Sequence, residues 1–174
     1  MRSILIPSLF VSLFFVPSVA RAAPLEWRVA GQAGAAIESP SLSVSTEVNV
    51  HAGRWGGYVK LEWNPWFATQ DPDAFKPGAV NIGVGGEVRY FGGRARTAVA
   101  LGPSILAFRT QIDEAGEVGF FFDVVPIGLR FPITRCLDVR LDPLSWHVVA
   151  PVLGGIPLVL LQYRTSAGIE WRFH

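Results

Sequence analysis

At 174 residues the chain has room for one domain, and 15 Lys+Arg against 14 Asp+Glu exclude the basic surplus of a nucleic-acid-binding protein. Half of the residues are hydrophobic and 17% are charged, yet beyond residue 23 no apolar run approaches the ~20 residues of a membrane helix. The single cysteine, Cys136, excludes an internal disulfide and a cysteine-rich metal centre.

Residues 1–22 have the layout of a cleaved signal peptide. Arg2 gives a positive start, Ile4 to Val16 is apolar, Pro17 breaks the run, and Ala20-Arg21-Ala22 fits a small-residue cleavage site. Ser18-Val19-Ala20 offers a second site, and no cysteine at either point suggests a lipoprotein. Residues 23–174 then form one mature domain.

Eight segments with a period of two follow, the spacing at which side chains alternate between the faces of a strand. Leu25 to Ile37 sets Leu25, Trp27, Val29, Ala33, Ala35 and Ile37 against Glu26, Arg28 and Gln32. Leu42 to Val50 sets Leu42, Val44, Thr46, Val48 and Val50 against Ser43, Ser45, Glu47 and Asn49. Tyr58 to Phe67 sets Val59, Leu61 and Trp63 against Lys60, Glu62 and Asn64. Ala79 to Phe91 sets Val80, Ile82, Val84, Val88 and Tyr90 against Asn81, Gly83, Gly85, Glu87 and Arg89. Arg96 to Phe108 sets Thr97, Val99, Leu101 and Ile105 against Arg96, Ala98, Ala100, Gly102 and Ser104. Val118 to Phe131 begins with Phe120, Phe122 and Val124 on the apolar face and continues with Ile127, Leu129 and Phe131, so its parity slips at Pro126, which reads as a bulge. Cys136 to about Val148 sets Leu137, Val139 and Leu141 against Asp138, Arg140 and Asp142, and slips near Pro143. The last stretch, Leu158 to His174, alternates longest and ends its apolar face in Trp171 and Phe173.

The connections differ in kind. His51–Gly57, Gly92–Ala95 and Pro132–Arg135 are tight, and Ala68–Gly78 and Arg109–Glu117 are longer and carry acids. Glu38–Ser41 is short, and Ala150–Pro157 is intermediate. Tight turns at one end and longer loops at the other suit an up-and-down barrel.

Alternation alone does not say which face is inside. The signal sequence, the segment length and the aromatics near segment ends favour the apolar face outward. Trp27, Tyr58, Tyr90, Phe131, Trp171 and Phe173 would ring the periplasmic end, and Trp66, Phe67, Phe108, Phe120, Phe122 and Trp146 the outer end. The other face would fill a narrow lumen with small residues and with Glu26, Arg28, Glu47, Lys60, Glu62, Glu87, Arg89, Arg96, Arg130, Asp138, Arg140, Asp142, Arg164, Glu170 and Arg172. Such charges persist in an interior only when paired.

In strand number, dyad alternation and the terminal QYRTSAGIEWRF, the chain resembles the small eight-stranded outer-membrane barrels of the OmpA/OmpX type. The resemblance covers nearly all of residues 23–174 and implies an all-β, antiparallel, transmembrane barrel with both termini in the periplasm. It also implies that Trp171 and Phe173 form the signal read by the barrel assembly machinery. His174 after Phe173 departs from the usual terminal aromatic.

The reading is a monomeric outer-membrane barrel in contact with lipid, structural or narrow-pored. No catalysis, cofactor, metal or nucleic acid is expected. A charge at Val84, Leu101 or Val139 should be costly, and one at Ser45 or Ser104 milder. An alternative is a lipid A-modifying deacylase, for which Ser145-Trp146-His147 offers a Ser and a His two apart, in the reverse of that group's order. His147 reads more simply as a rim histidine, with His51 in a turn and His174 at the terminus. A soluble lipocalin-like carrier would need the apolar face inside, and the glycine of its G-x-W motif is missing before Glu26-Trp27.

Overall fold

Period-two patterning becomes eight long strands and one short one in the computed structural model, which describes residues 24–37, 42–65, 78–106, 117–153, 155–157 and 159–173. The signal segment, Trp66, Phe67, Phe108, His174 and most of the two longer loops lie outside the described residues. The long strands are β1 (Leu25–Ala36), β2 (Leu42–Ala52), β3 (Trp55–Pro65), β4 (Gly78–Tyr90), β5 (Ala95–Leu106), β6 (Glu117–Pro132), β7 (Leu137–Leu153) and β9 (Leu160–Phe173). β8 (Ile156–Pro157) is a two-residue return that pairs with the end of β7.

Each long strand pairs antiparallel with its neighbours along the chain, and β1 pairs with β9, so the sheet closes on itself. Closure leaves no free edge among the long strands. Gly53 and Arg54 alone separate β2 from β3, and a short 3-10 turn, Phe91–Gly93, leads from β4 towards β5. These turns, the β6–β7 turn and both ends of the paired chain lie at one end, where Leu25 faces Ala52 and Trp27 faces Phe173.

The apolar face is the outer wall. Val84 is 65% exposed and Leu101 54%, whereas Arg96 is 1% exposed and Arg140 and Glu170 are sealed completely. This arrangement is the reverse of a lipocalin-like barrel and removes that alternative. Among the described residues the inner face carries a small apolar cluster, Tyr58, Ala98, Ala100, Phe121 and Val125. Two glycines create its space: a Cβ on Gly83 would stand 2.5 Å from the Phe121 ring, and one on Gly85 2.5 Å from Tyr58.

The parity slips are bulges. Between β5 and β6, Arg96 faces Gly128 and Ala98 faces Val125, so Pro126 and Ile127 stand opposite Thr97 alone. The Thr97 hydroxyl donates to the Pro126 carbonyl at 2.7 Å. Between β7 and β9 the shift falls between Asp142 and Ser145, around Pro143. Pro103 faces Phe120 and causes no shift.

The structure corrects several expectations. Tyr58 belongs to the interior, 5% exposed, because it shares the parity of Lys60 and not that of the outward Val59. His51 is a strand residue, since β2 runs to Ala52 before the turn. β7 continues past Val148 to Leu153, held between β6 and β9 and then by β8. Ser104 is fully buried, so a charge there would be unpaired in the packed interior and costly rather than mild.

The closing seam depends on Gly168. A Cβ there would stand 2.0 Å from the Gly31 carbonyl oxygen and 2.7 Å from Gln32 Cα, both backbone atoms that cannot swing away. Gly168→Val is therefore expected to prevent β1–β9 closure. The folded, faster-migrating band on an unheated gel should disappear, while Gly31→Ala, which meets nothing within 4 Å, should leave it.

Candidate functional site: a charge-filled lumen

Inward positions on all eight long strands project into one narrow space, and the side chains sort into two linked groups. At the tight-turn end, Arg172 and Glu26 are partly exposed and their groups lie 3.2 Å apart. Arg172 also reaches Asp138 at 2.9 Å. Asp138 accepts from Arg28 at 2.9 Å, and Arg28 pairs in turn with the sealed Glu170. Deeper, Glu87 is the hub. It accepts from Arg89 at 3.0 Å, from Arg96 at 2.9 Å and from Arg130 at 2.9 Å, and it contacts His51. Arg96 continues to Asp142 at 2.7 Å, which also accepts from Gln32 at 2.8 Å. Arg140 grips Glu47 with both terminal nitrogens, at 2.6 and 2.9 Å, the fork geometry of a strong guanidinium–carboxylate pair.

The second group lies nearer the longer loops. Lys60 bridges Asp123 at 2.6 Å and Glu62 at 3.1 Å. Glu62 also accepts from Arg164 and Asn81, each at 3.0 Å. His147 is sealed between these acids, Nε2 3.0 Å from Glu62 and Nδ1 3.5 Å from Asp123. A gap lined by Ser43, Ser45, Ser145 and Ser166 touches this group, with a free volume of about 20 Å³, room for one water.

All fifteen charged residues read from the sequence thus lie in the lumen, and thirteen are buried, Glu26 and Arg172 being the half-open pair at the mouth. Asp123 completes them. With it, Glu26, Glu47, Glu62, Glu87, Asp123, Asp138, Asp142 and Glu170 match Arg28, Lys60, Arg89, Arg96, Arg130, Arg140, Arg164 and Arg172 one for one. Sequence reasoning missed Asp123 because it sits among Phe120, Phe121 and Phe122, just before the slip at Pro126. Its parity, opposite to Phe122, was the available signal. His51 and His147 were missed as lumen residues for similar reasons: His51 shares the parity of Glu47 and Asn49, and His147 adjoins a bulge.

Ser145 and His147 both face inward. The Ser145 hydroxyl donates to the Arg164 carbonyl at 3.4 Å, and His147 lies between the Glu62 and Asp123 carboxylates and against the Phe121 ring. Among the described residues no hydrogen bond joins the two. His147 is not at the rim. No group of three or more His, Cys, Asp or Glu among the described residues could hold a metal ion. Trp171 and Phe173 are about half exposed on the outer face of β9 and stand opposite Val29 and Trp27.

No protein-family model and no curated protein matches the chain. Solved structures do resemble it in fold. Neisserial surface protein A shares 12% identity, with a TM-score of 0.58, over 86% of this chain and 96% of its own. The N-terminal β-barrel domain of Pseudomonas aeruginosa OprF shares 8% identity, with a TM-score of 0.55, over 88% of this chain and 100% of its own. Inverted faces, ring closure and these likenesses converge: the chain has the fold of the small eight-stranded outer-membrane barrels.

Proposed function

We propose that this protein is an exported, integral outer-membrane barrel with a structural, non-catalytic role and a lumen closed to ions. The observation that carries the reading is the pairing of an apolar outer wall with an interior filled by matched charges. Large apolar side chains such as Val84, Ile169 and Leu101 are half or more exposed all round the wall, an arrangement water opposes and hydrocarbon favours. Inside, the cross-lumen pairs Arg140–Glu47 and Arg28–Asp138 span the space an ion would need.

The signal sequence would deliver the chain, and Trp171 and Phe173 on the last strand would be offered to the assembly machinery. The protein would work as a monomer surrounded by lipid, with its termini in the periplasm. Fractionation of expressing cells should recover it with the outer membrane, released only by detergent. Reconstituted in planar bilayers, it should show no stepwise conductance. Recovery in the soluble periplasm would overturn the membrane reading, and steady unitary currents would replace the closed barrel by a pore.

A further inference from the structure

The lumen does not end flush with the tight turns. Between the β2–β3 and β4–β5 turns it opens into a vestibule with a free volume of about 330 Å³. Its charged lining is four arginines, Arg28, Arg54, Arg89 and Arg172, and one carboxylate, Glu26. Glu26 stands in the vestibule and pairs with Arg28 at 2.5 Å, Arg172 at 3.2 Å and Arg89 at 3.5 Å, while the other acids that meet Arg28 and Arg89, namely Glu170, Asp138 and Glu87, lie deeper and sealed or nearly so. At the open end, therefore, three guanidinium groups share one local carboxylate and the fourth, that of Arg54, adds a charge with no carboxylate beside it.

Arg54 is the least compensated of the four. Among the described residues no carboxylate lies within 4.0 Å of it, and its guanidinium rests over the Trp55 ring, 5.5 Å from the centroid. Its position is fixed through its carbonyl, which accepts from the Arg89 amide at 2.8 Å. Arg172 Nε is a buried donor without a hydrogen-bond acceptor, although Glu26 is near. The wall between the arginines is kept low by Gly53, Gly92 and Gly93, all with positive φ, so side chains are disfavoured where a ligand would enter.

We propose that this vestibule binds a phosphate group presented from the aqueous side, as inorganic phosphate or a phosphomonoester. Guanidinium forks match phosphate oxygens bidentately, and a tetrahedral dianion can accept from several of them at once. A concave, partly dehydrated mouth strengthens that attraction relative to an exposed patch. This inference goes beyond the structural reading above and does not rest on it.

The test is a titration of the detergent-solubilised full barrel, in a non-ionic, phosphate-free detergent, with inorganic phosphate at constant ionic strength. Amide NMR signals of Gly53, Gly92 and Gly93 should shift and saturate. Arg54→Ala, at a turn outside the strands, should keep the folded spectrum and weaken binding roughly tenfold, the loss of one charge-assisted contact. Arg54→Lys should recover only part of it, since an ammonium lacks the fork. A second arm uses bicelles containing phosphatidic acid, a lipid phosphomonoester, without free phosphate. Saturation there alone would identify the phosphate of a lipid headgroup as the source. Equal shifts from chloride, no saturation in either arm, or unchanged affinity in Arg54→Ala would overturn the proposal.

Discussion

Glu87→Leu is expected to destabilise the barrel by roughly 3–5 kcal/mol, the scale for removing one partner from a buried ion pair. Glu87 is the acceptor shared by Arg89, Arg96 and Arg130 and in contact with His51, so its loss strands three guanidinium groups where water cannot reach them freely. Urea unfolding in detergent, followed by tryptophan fluorescence, measures the change. Glu87→Gln keeps acceptor atoms without the charge and should cost less. The companion experiment is the Lys60–Asp123 pair, 2.6 Å apart. Lys60→Met or Asp123→Leu alone should each be damaging, while the double replacement should recover part of the loss, because the desolvated pair is gone and Glu62, which also loses Lys60, keeps Arg164. If Glu87→Leu falls within about 0.5 kcal/mol of the parent, as an ordinary surface change does, the charge network is not what holds the interior.

Arginine on the outer wall should act by depth rather than by exposure. Leu25 and Val84 are both 65% exposed, yet Leu25 opens β1 at the tight-turn end and Val84 lies mid-strand between Val59 and Leu101. In lipid vesicles Val84→Arg should cost about 2–4 kcal/mol and Leu25→Arg about 0–1 kcal/mol, the midplane and interface values for barrels. A wall surrounded by water would treat the two alike. Equal costs would therefore sink the membrane reading while leaving the fold intact.

The architecture was legible because a two-residue period survives almost any loop, and Val84, Leu101 and Val139 needed only parity to be placed. Parity also sorted the charged residues. What it did not carry was partnership. Arg28 meets Asp138 and Glu170, and Arg164 meets Glu62, because closure staggers the strands around a ring, and no local spacing encodes that stagger. Errors clustered where parity breaks or ends: Asp123 and His147 near bulges, His51 one residue from a turn. Tyr58 was misplaced differently, by weighing its aromatic ring above its position in the alternation. The vestibule was invisible because Arg54, Arg89 and Arg172 come together only when distant turns and the last strand meet.

The sealed charge network has a consequence for how the molecule is made. Arg28 and Glu170 are 142 positions apart, Arg28 and Asp138 110, Arg164 and Glu62 102, and Arg140 and Glu47 93. A single strand or hairpin can make short-range pairs such as Lys60–Glu62 and Arg96–Glu87, but these four pairs join strands far apart in the chain. A sheet in which β9 had not met β1 would leave those pairs unmade and their charges in water. Joining the first strand to the last would thus also dry the interior, these ions exchanging their hydration shells for partners. Such long-range pairing makes for slow folding, and it makes the final seam the step at which the barrel either becomes whole or stays wet.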